Sequence, residues 1–180
     1  IKDLSKVDLN KKDRERANAE ALLIRAAVQS YDTSISPSFN FTNPVEGIIS
    51  SRYGKKRFIN EKPRSPHLAL DIAANLGVEV SAPLKGRVIL TGDFFYTGNT
   101  ILIDHGFGLI SSYSHLDSSI VKEGQIIQQG EVMGTVGETG RVTGPHLHWT
   151  VYLNKEKINP ESLLKDNFLL DLFKTSQDIL

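Results

Sequence analysis

The chain has 180 residues, no cysteine, and 21 acidic side chains against 21 basic ones, so its formal charge is zero. That length supports one domain with its own core, and the lack of cysteine rules out a disulfide framework or a thiolate metal site. A balanced charge argues against a global attraction to nucleic acid or anionic membrane, and no apolar run approaches the roughly 20 residues of a membrane-spanning helix.

The first forty residues predict a helix. Ala17, Ala21, Ile24, Val28 and Tyr31 recur at steps of four and three, which lines one helix face. A lone helix of this length is marginal in water. It is expected to pack on the rest of the chain or on an upstream domain, or to cover a groove as a lid. The chain starts at Ile1 rather than Met and reads as a fragment or processed product, so any secretory signal would lie outside it. "DTSISPSFNFTNP" (32–44) breaks the helical pattern and reads as a linker.

From Val45 onward, short β-branched runs alternate with glycine: "GIISSRYG", "GVEVSAPLKGRVILTGDF", "NTILIDHGFGLISSYSHL", "QIIQQGEVMGTVG" and "HLHWTVYL". Short strands punctuated in this way predict a mainly β, antiparallel domain. After Asn159-Pro160, helical spacing returns with Leu163, Leu164, Phe168, Leu172 and Phe173. The expected organisation is an N-terminal helix and linker over 1–43, a β domain over 44–160 and a helical C-terminal extension over 161–180.

The β region carries four histidine-bearing segments. In "SPHLALDIA", an extended backbone over 67–71 puts His67, Ala69 and Asp71 on one face and turns Leu68, Leu70 and Ile72 inward. In "IDHGFG", His105 ends an apolar strand beside a turn, where a bond to the backbone is the plain reading. In "ISSYSHL", His115 stands in an apolar strand, a setting that more often houses a satisfied core histidine than a catalyst. In "HLHWTVYL", His146, His148, Thr150 and Tyr152 share one face, and Leu147, Trp149, Val151 and Leu153 form the core side.

His-x-His alone also fits an ordinary strand with two half-exposed imidazoles. His67, His146, His148 and Asp71 together offer donor types that zinc accepts, and a catalytic zinc takes three protein ligands and keeps one position for water. Which of the imidazoles are ligands is open on spacing alone. There is no His-Glu-x-x-His helix to supply a glutamate base. "VKEGQIIQQGEVMGTVG" resembles half of a lipoyl- or biotin-carrier domain. It has no lysine beside Met133 to bear the cofactor, so that likeness is architectural.

Taken in order, His67-x-x-x-Asp71, "YSHL" with His115, and "GPHLH" with His146 and His148 resemble the motifs of the lysostaphin/LytM-type zinc metallopeptidases, which cut peptide bonds in bacterial peptidoglycan. The resemblance spans roughly 44–160 and extends to "GRVILTGDF" and "VKEGQIIQQGEVMGTVGETGRVTGPHLHW". Within the family, "PRSPHLALDIA" and "GRVTGPHLHW" are most similar to Gram-negative cell-envelope members. It implies Zn2+ held by His67, Asp71 and His148, with His115 and His146 as a catalytic pair outside the ligand set. It also implies a periplasmic enzyme acting on peptidoglycan stem peptides, without nucleic acid, and leaves room for an upstream domain or a regulatory protein partner.

The family often has glycine where this chain has Ala69, which bears on how closely substrate or backbone can approach. A non-catalytic wall-binding or hydrolase-activating module is the rival reading, and retention of all five site residues favours the enzyme. Between Arg52 and Arg64, six cations face Glu61 alone. Such a run is commonly a solvated loop and is a weak nucleic-acid signal. In this family setting Arg52, Arg57 and Arg64 become candidates for binding the carboxylates of stem peptides.

Overall fold

The computed structural model describes residues 9–38, 40–59 and 62–164. Among the described residues, twelve strands follow one long helix, α1 (Lys11–Ala27). They are β1 (Ile48–Ser51), β2 (Arg57–Ile59), β3 (Lys62–Arg64), β4 (Leu70–Ala73), β5 (Glu79–Ser81), β6 (Gly86–Phe94), β7 (Gly98–Asp104), β8 (Leu109–Ser119), β9 (Ile126–Ile127), β10 (Val132–Val136), β11 (Leu147–Leu153) and β12 (Glu156–Ile158). A short helix, α2 (Pro160–Leu163), closes the described chain. The predicted Phe168, Leu172 and Phe173 lie outside the described residues. Among the described residues no helix is long and apolar enough to cross a membrane.

The main sheet runs β1-β4-β11-β8-β7-β6-β9, with β10 paired to β5 and β8, and β12 paired to β11. Every pairing is antiparallel. The mainly β expectation therefore holds, and the glycine-punctuated runs fall on β1, β5 to β8, and β9 to β11. The basic segment ahead of His67 is more ordered than a solvated loop. There β2 and β3 form a separate hairpin in which Arg57 faces Arg64.

Alternation along β11 sorts three of the four predicted core residues to the core side, whereas Leu153 at the strand end is exposed. Leu147, Trp149 and Val151 are buried in a core with Leu70, Ile72, Tyr113, Leu116, Met133 and Phe41. At β4 the prediction is off by a turn of backbone. The strand begins at Leu70, so His67 sits in the irregular segment before it, and Leu68 is half-buried while Leu70 and Ile72 are core.

Helix α1 starts at Asn10, whose side-chain carbonyl accepts the Asp13 N–H at 2.9 Å. This satisfies one of the donors a helix start leaves open. It docks beside β6. The Glu20 carboxylate accepts the Phe95 N–H at 2.6 Å, and Arg16 reaches Asp93. Of the predicted apolar face, Ala17 and Val28 are buried and Ile24 is half-buried, whereas Ala21 is exposed. Tyr31 lies beyond the helix and meets Phe107 edge-on at 6.2 Å.

The segment read as a linker is irregular but packed. Ile35 is buried and Arg87 donates to Asp32 at 3.3 Å, while Ser30, just ahead of the segment, donates to Asp104 at 2.5 Å. It wraps the β7–β8 turn so closely that a Cβ at Gly106 (φ 96°) would overlap the Ile35 carbonyl oxygen.

His105 directly follows β7 and is fully buried. Its Nδ1 lies 2.8 Å from the Lys85 carbonyl and must donate to it, since a carbonyl only accepts. Nε2 is then the acceptor and takes the Ser111 hydroxyl proton at 2.7 Å. Ser111 Oγ in turn accepts from the Tyr113 hydroxyl at 2.7 Å. The predicted backbone bond is present, and a directed polar chain extends it into the core.

Candidate metal and proton-transfer site

The site forms where β4, β11 and β8 lie side by side. Asp71 on β4 is the cross-strand partner of His148 on β11, and His148 is in turn opposite Ser114 on β8. Directly opposed residues of an antiparallel pair bring their Cβ atoms to about 5 Å. Two residues 77 apart in sequence thus meet, with Asp71 Oδ1 at 2.6 Å from His148 Nδ1.

His67 arrives from the segment before β4. Its Nε2 lies 3.0 Å from Asp71 Oδ1 and 3.4 Å from His148 Nδ1. Its Nδ1 is 3.2 Å from the Arg52 carbonyl, with Ser51 Oγ at 3.3 Å. That contact orients the ring so that Nε2 is directed at Asp71 and His148. A backbone carbonyl on the far nitrogen is the usual support for a ligating imidazole.

Among the described residues, two donor groups satisfy a metal-sized spacing: His67, Asp71 and His148, and the all-imidazole set His115, His146 and His148. Ligands about 2.0–2.1 Å from a tetrahedral zinc stand about 3.3 Å apart. The 2.6–3.4 Å separations in the first group fit that shell. The second group has already committed one ring nitrogen of two members. His146 Nδ1 is 2.9 Å from the Gly144 carbonyl, and His115 Nδ1 is 2.8 Å from the Thr139 carbonyl. Both must donate there, so each presents a bare Nε2.

His115 reaches this side of the sheet through a bulge. Tyr113 faces Ile101 and Leu116 faces Asn99, so Ser114 and His115 together oppose Thr100. His115 takes φ 65°, in the left-handed region. Regular alternation would place it with Tyr113 on the core side. The bulge instead turns its ring to 4.9 Å from that of His146 and 5.6 Å from that of His148.

Charge follows the same geometry. Burial opposes ionisation of Asp71, but hydrogen bonds from His148 and His67 outweigh it and hold the carboxyl well below its usual range. Burial pushes the His148 imidazole down despite the Asp71 carboxylate. His115 is pushed down to about 3 by burial and, after that, by its neighbours His148 and His146. The site therefore holds an anionic carboxylate beside two imidazoles, His148 and His115, whose burial disfavours their charged form.

A groove of about 360 Å³ opens beside Asp71 and His146, lined also by Ser50, Ser51, Ala73 and the segment from Thr143 to Pro145. Helix α1 contributes no residue to that lining. Arg52 and Arg57 are not among its residues either. The Arg52 guanidinium pairs with Glu161, and Arg57 is exposed on β2. Ala69 is fully buried, so its methyl meets protein rather than the groove. Sequence reasoning did not single out Ser51, Thr139 or Gly144, which support the imidazoles through bonds no local pattern announces.

Residues 65–160 match peptidase family M23. The peptidoglycan DD-endopeptidase ShyA of Vibrio cholerae is 37% identical over 112 residues, covering 62% of this chain and 26% of that one. The DD-carboxypeptidase/endopeptidase Mpg of Neisseria meningitidis is 36% identical over 125 residues, covering 69% of this chain and 29% of that one. The chain thus spans under a third of the length of these relatives. Among solved structures, a peptidase M23 from Pseudomonas aeruginosa superposes with a TM-score of 0.76 at 39% identity, over 87% of this chain and 64% of that one. A zinc containing peptidase from Vibrio cholerae gives 0.63 at 31% identity, over 70% and 40%. With more than half of its length matching, and with the ordered histidine motifs converging in space, the chain belongs to peptidase family M23.

Proposed function

We propose that this chain is a zinc endopeptidase that hydrolyses D,D cross-links between peptidoglycan stem peptides in the cell envelope, on the periplasmic side. The observation that carries the reading is the meeting of His67 Nε2, Asp71 Oδ1 and His148 Nδ1 within one coordination shell, with two further imidazoles beside it. His67, Asp71 and His148 hold the metal. Zinc, when bound, supplies Lewis acidity that polarises a carbonyl and makes a water acidic near neutral pH.

His115 and His146 move the protons. Each donates Nδ1–H to a backbone carbonyl and so keeps Nε2 as a base, with His146 on the groove wall and the His115 ring 4.9 Å from the His146 ring. Nε2 of one ring accepts the proton of the attacking water, and the imidazolium so formed donates it to the departing amine nitrogen. The Thr139 and Gly144 carbonyls fix the tautomers before substrate arrives, so no ring flip is required during turnover.

Cross-linked stems carry free carboxylates near the scissile bond, which guanidinium groups bind in a bidentate way. Arg57 and Arg64, on the β2–β3 hairpin just ahead of His67, are candidates for that contact, as is Arg52 if substrate displaces Glu161. Each desolvated contact would contribute about 1.5–3 kcal/mol. The names of the relatives ShyA and Mpg support the substrate class.

The test is digestion of purified, directly cross-linked peptidoglycan, with mass spectrometry of the released muropeptides beside a pentaglycine peptide. Conversion of dimers to monomers is expected. Efficient cutting of pentaglycine with dimers left intact would overturn the assignment. Cleavage unaffected by Arg57→Ala would remove the hairpin from substrate binding.

A further inference from the structure

Thr139 lies in the loop between β10 and β11 and holds the β8 bulge with three hydrogen bonds. Its carbonyl accepts His115 Nδ1–H at 2.8 Å. Its hydroxyl donates to the Leu116 carbonyl at 2.8 Å and accepts the Asn99 N–H at 2.9 Å. Asn99 and Leu116 are the pair at which the β7–β8 ladder resumes after the bulge. The hydroxyl therefore closes the ladder beside the one residue, His115, that has been turned out of it.

That position carries strain. A non-glycine residue in the left-handed region costs on the order of 1–3 kcal/mol and persists only where its surroundings over-determine it. Two further bonds help: the His115 N–H donates to the Thr97 carbonyl at 2.8 Å, and the Arg141 N–H to the Tyr96 carbonyl at 2.9 Å. The loop lies flush on β7, because a Cβ at Gly98 (φ 61°) would overlap Thr139 Oγ1.

We propose that Thr139 is a positioning residue for His115: its hydroxyl pins the bulge that turns the ring toward His146 and His148, and its carbonyl fixes the tautomer that leaves Nε2 as the acceptor. The proposal rests on the reading of His115 as a proton-transfer group. An ordinary loop anchor would affect stability alone. A positioning residue affects turnover while substrate affinity and metal content stay put.

The experiment compares the zinc-loaded wild type, Thr139→Val, Thr139→Ser and His115→Ala on a cross-linked muropeptide dimer. Metal content and long-range 1H–15N spectra of the imidazoles are recorded alongside. Valine keeps the shape and removes the hydroxyl; serine keeps the hydroxyl. Thr139→Val is expected to lower kcat by about 10- to 100-fold, the scale of a misplaced catalytic group, with KM within about twofold and zinc content unchanged. Thr139→Ser is expected to stay within about threefold of the wild-type kcat. The wild-type spectrum should show His115 protonated at Nδ1.

A wild-type His115 protonated at Nε2 would overturn the proposal, and that measurement stands even if Thr139→Val fails to fold. So would a Thr139→Ser loss as large as that of Thr139→Val. A wild-type kcat in Thr139→Val, with His115→Ala inactive, would sink the positioning role and leave the catalytic reading of His115 intact. An active His115→Ala would sink the catalytic reading itself.

Discussion

Replacing His105 by glutamine should make the fold less sensitive to acid. His105 is fully buried, and burial pushes its imidazole down from 6.5 to about 4, against smaller opposing effects of the Lys85 carbonyl and Asp104. The folded chain therefore keeps the ring neutral, while the unfolded chain takes up a proton as pH falls below about 6.5. Stability from this group is fully present above the unfolded value and is lost as pH falls toward about 4.

One pKa unit corresponds to about 1.4 kcal/mol, so between pH 7.5 and pH 4.5 this group alone removes about 2–3 kcal/mol. Glutamine offers an N–H and a carbonyl in place of the two ring nitrogens, and it does not titrate in this range. The assay is urea denaturation of wild type and His105→Gln at both pH values. Protonation of the site histidines acts equally in both chains and cancels in the comparison. The variant is expected to lose about 2–3 kcal/mol less than wild type on acidification. Equal losses in the two chains would refute the claim that burial holds His105 neutral in the folded chain.

Three other outcomes are expected. His67→Ala removes one of three ligands and should lose both zinc and activity; full zinc occupancy by metal analysis would exclude His67 from the shell. His115→Ala and His146→Ala should retain zinc and lose about 100-fold or more in kcat, the scale of a general acid–base group. Loss of zinc from His146→Ala but not from His148→Ala would reverse their roles. Gly106→Ala should destabilise the fold by about 1–3 kcal/mol in denaturant titrations, because a side chain there meets φ 96° and the Ile35 carbonyl together. An unchanged midpoint would show that the segment around Ile35 yields easily.

The sequence by itself determined which face of β11 is core. Leu147, Trp149 and Val151 alternate with His148 and Thr150, and a period of two is a local property of an extended chain. It also set the β class, through short β-branched runs cut by glycine, and offered the donor chemistry, because His67, Asp71, His146 and His148 are side chains of types that zinc accepts.

Three features were decided only by the tertiary structure. Register across strands set Asp71 opposite His148, and register depends on partners far away in the chain. The bulge opposite Thr100 turned His115 out of the core side, where alternation would have left it, and that reversal rests on Thr139, Thr97 and Asn99 rather than on its own neighbours. The Arg52 guanidinium went to Glu161, 109 residues on, because β11, β12 and α2 bring that carboxylate alongside the end of β1. Side-chain alternation is written in each segment, whereas the meeting of segments depends on pairing energies and loop paths that no single segment contains.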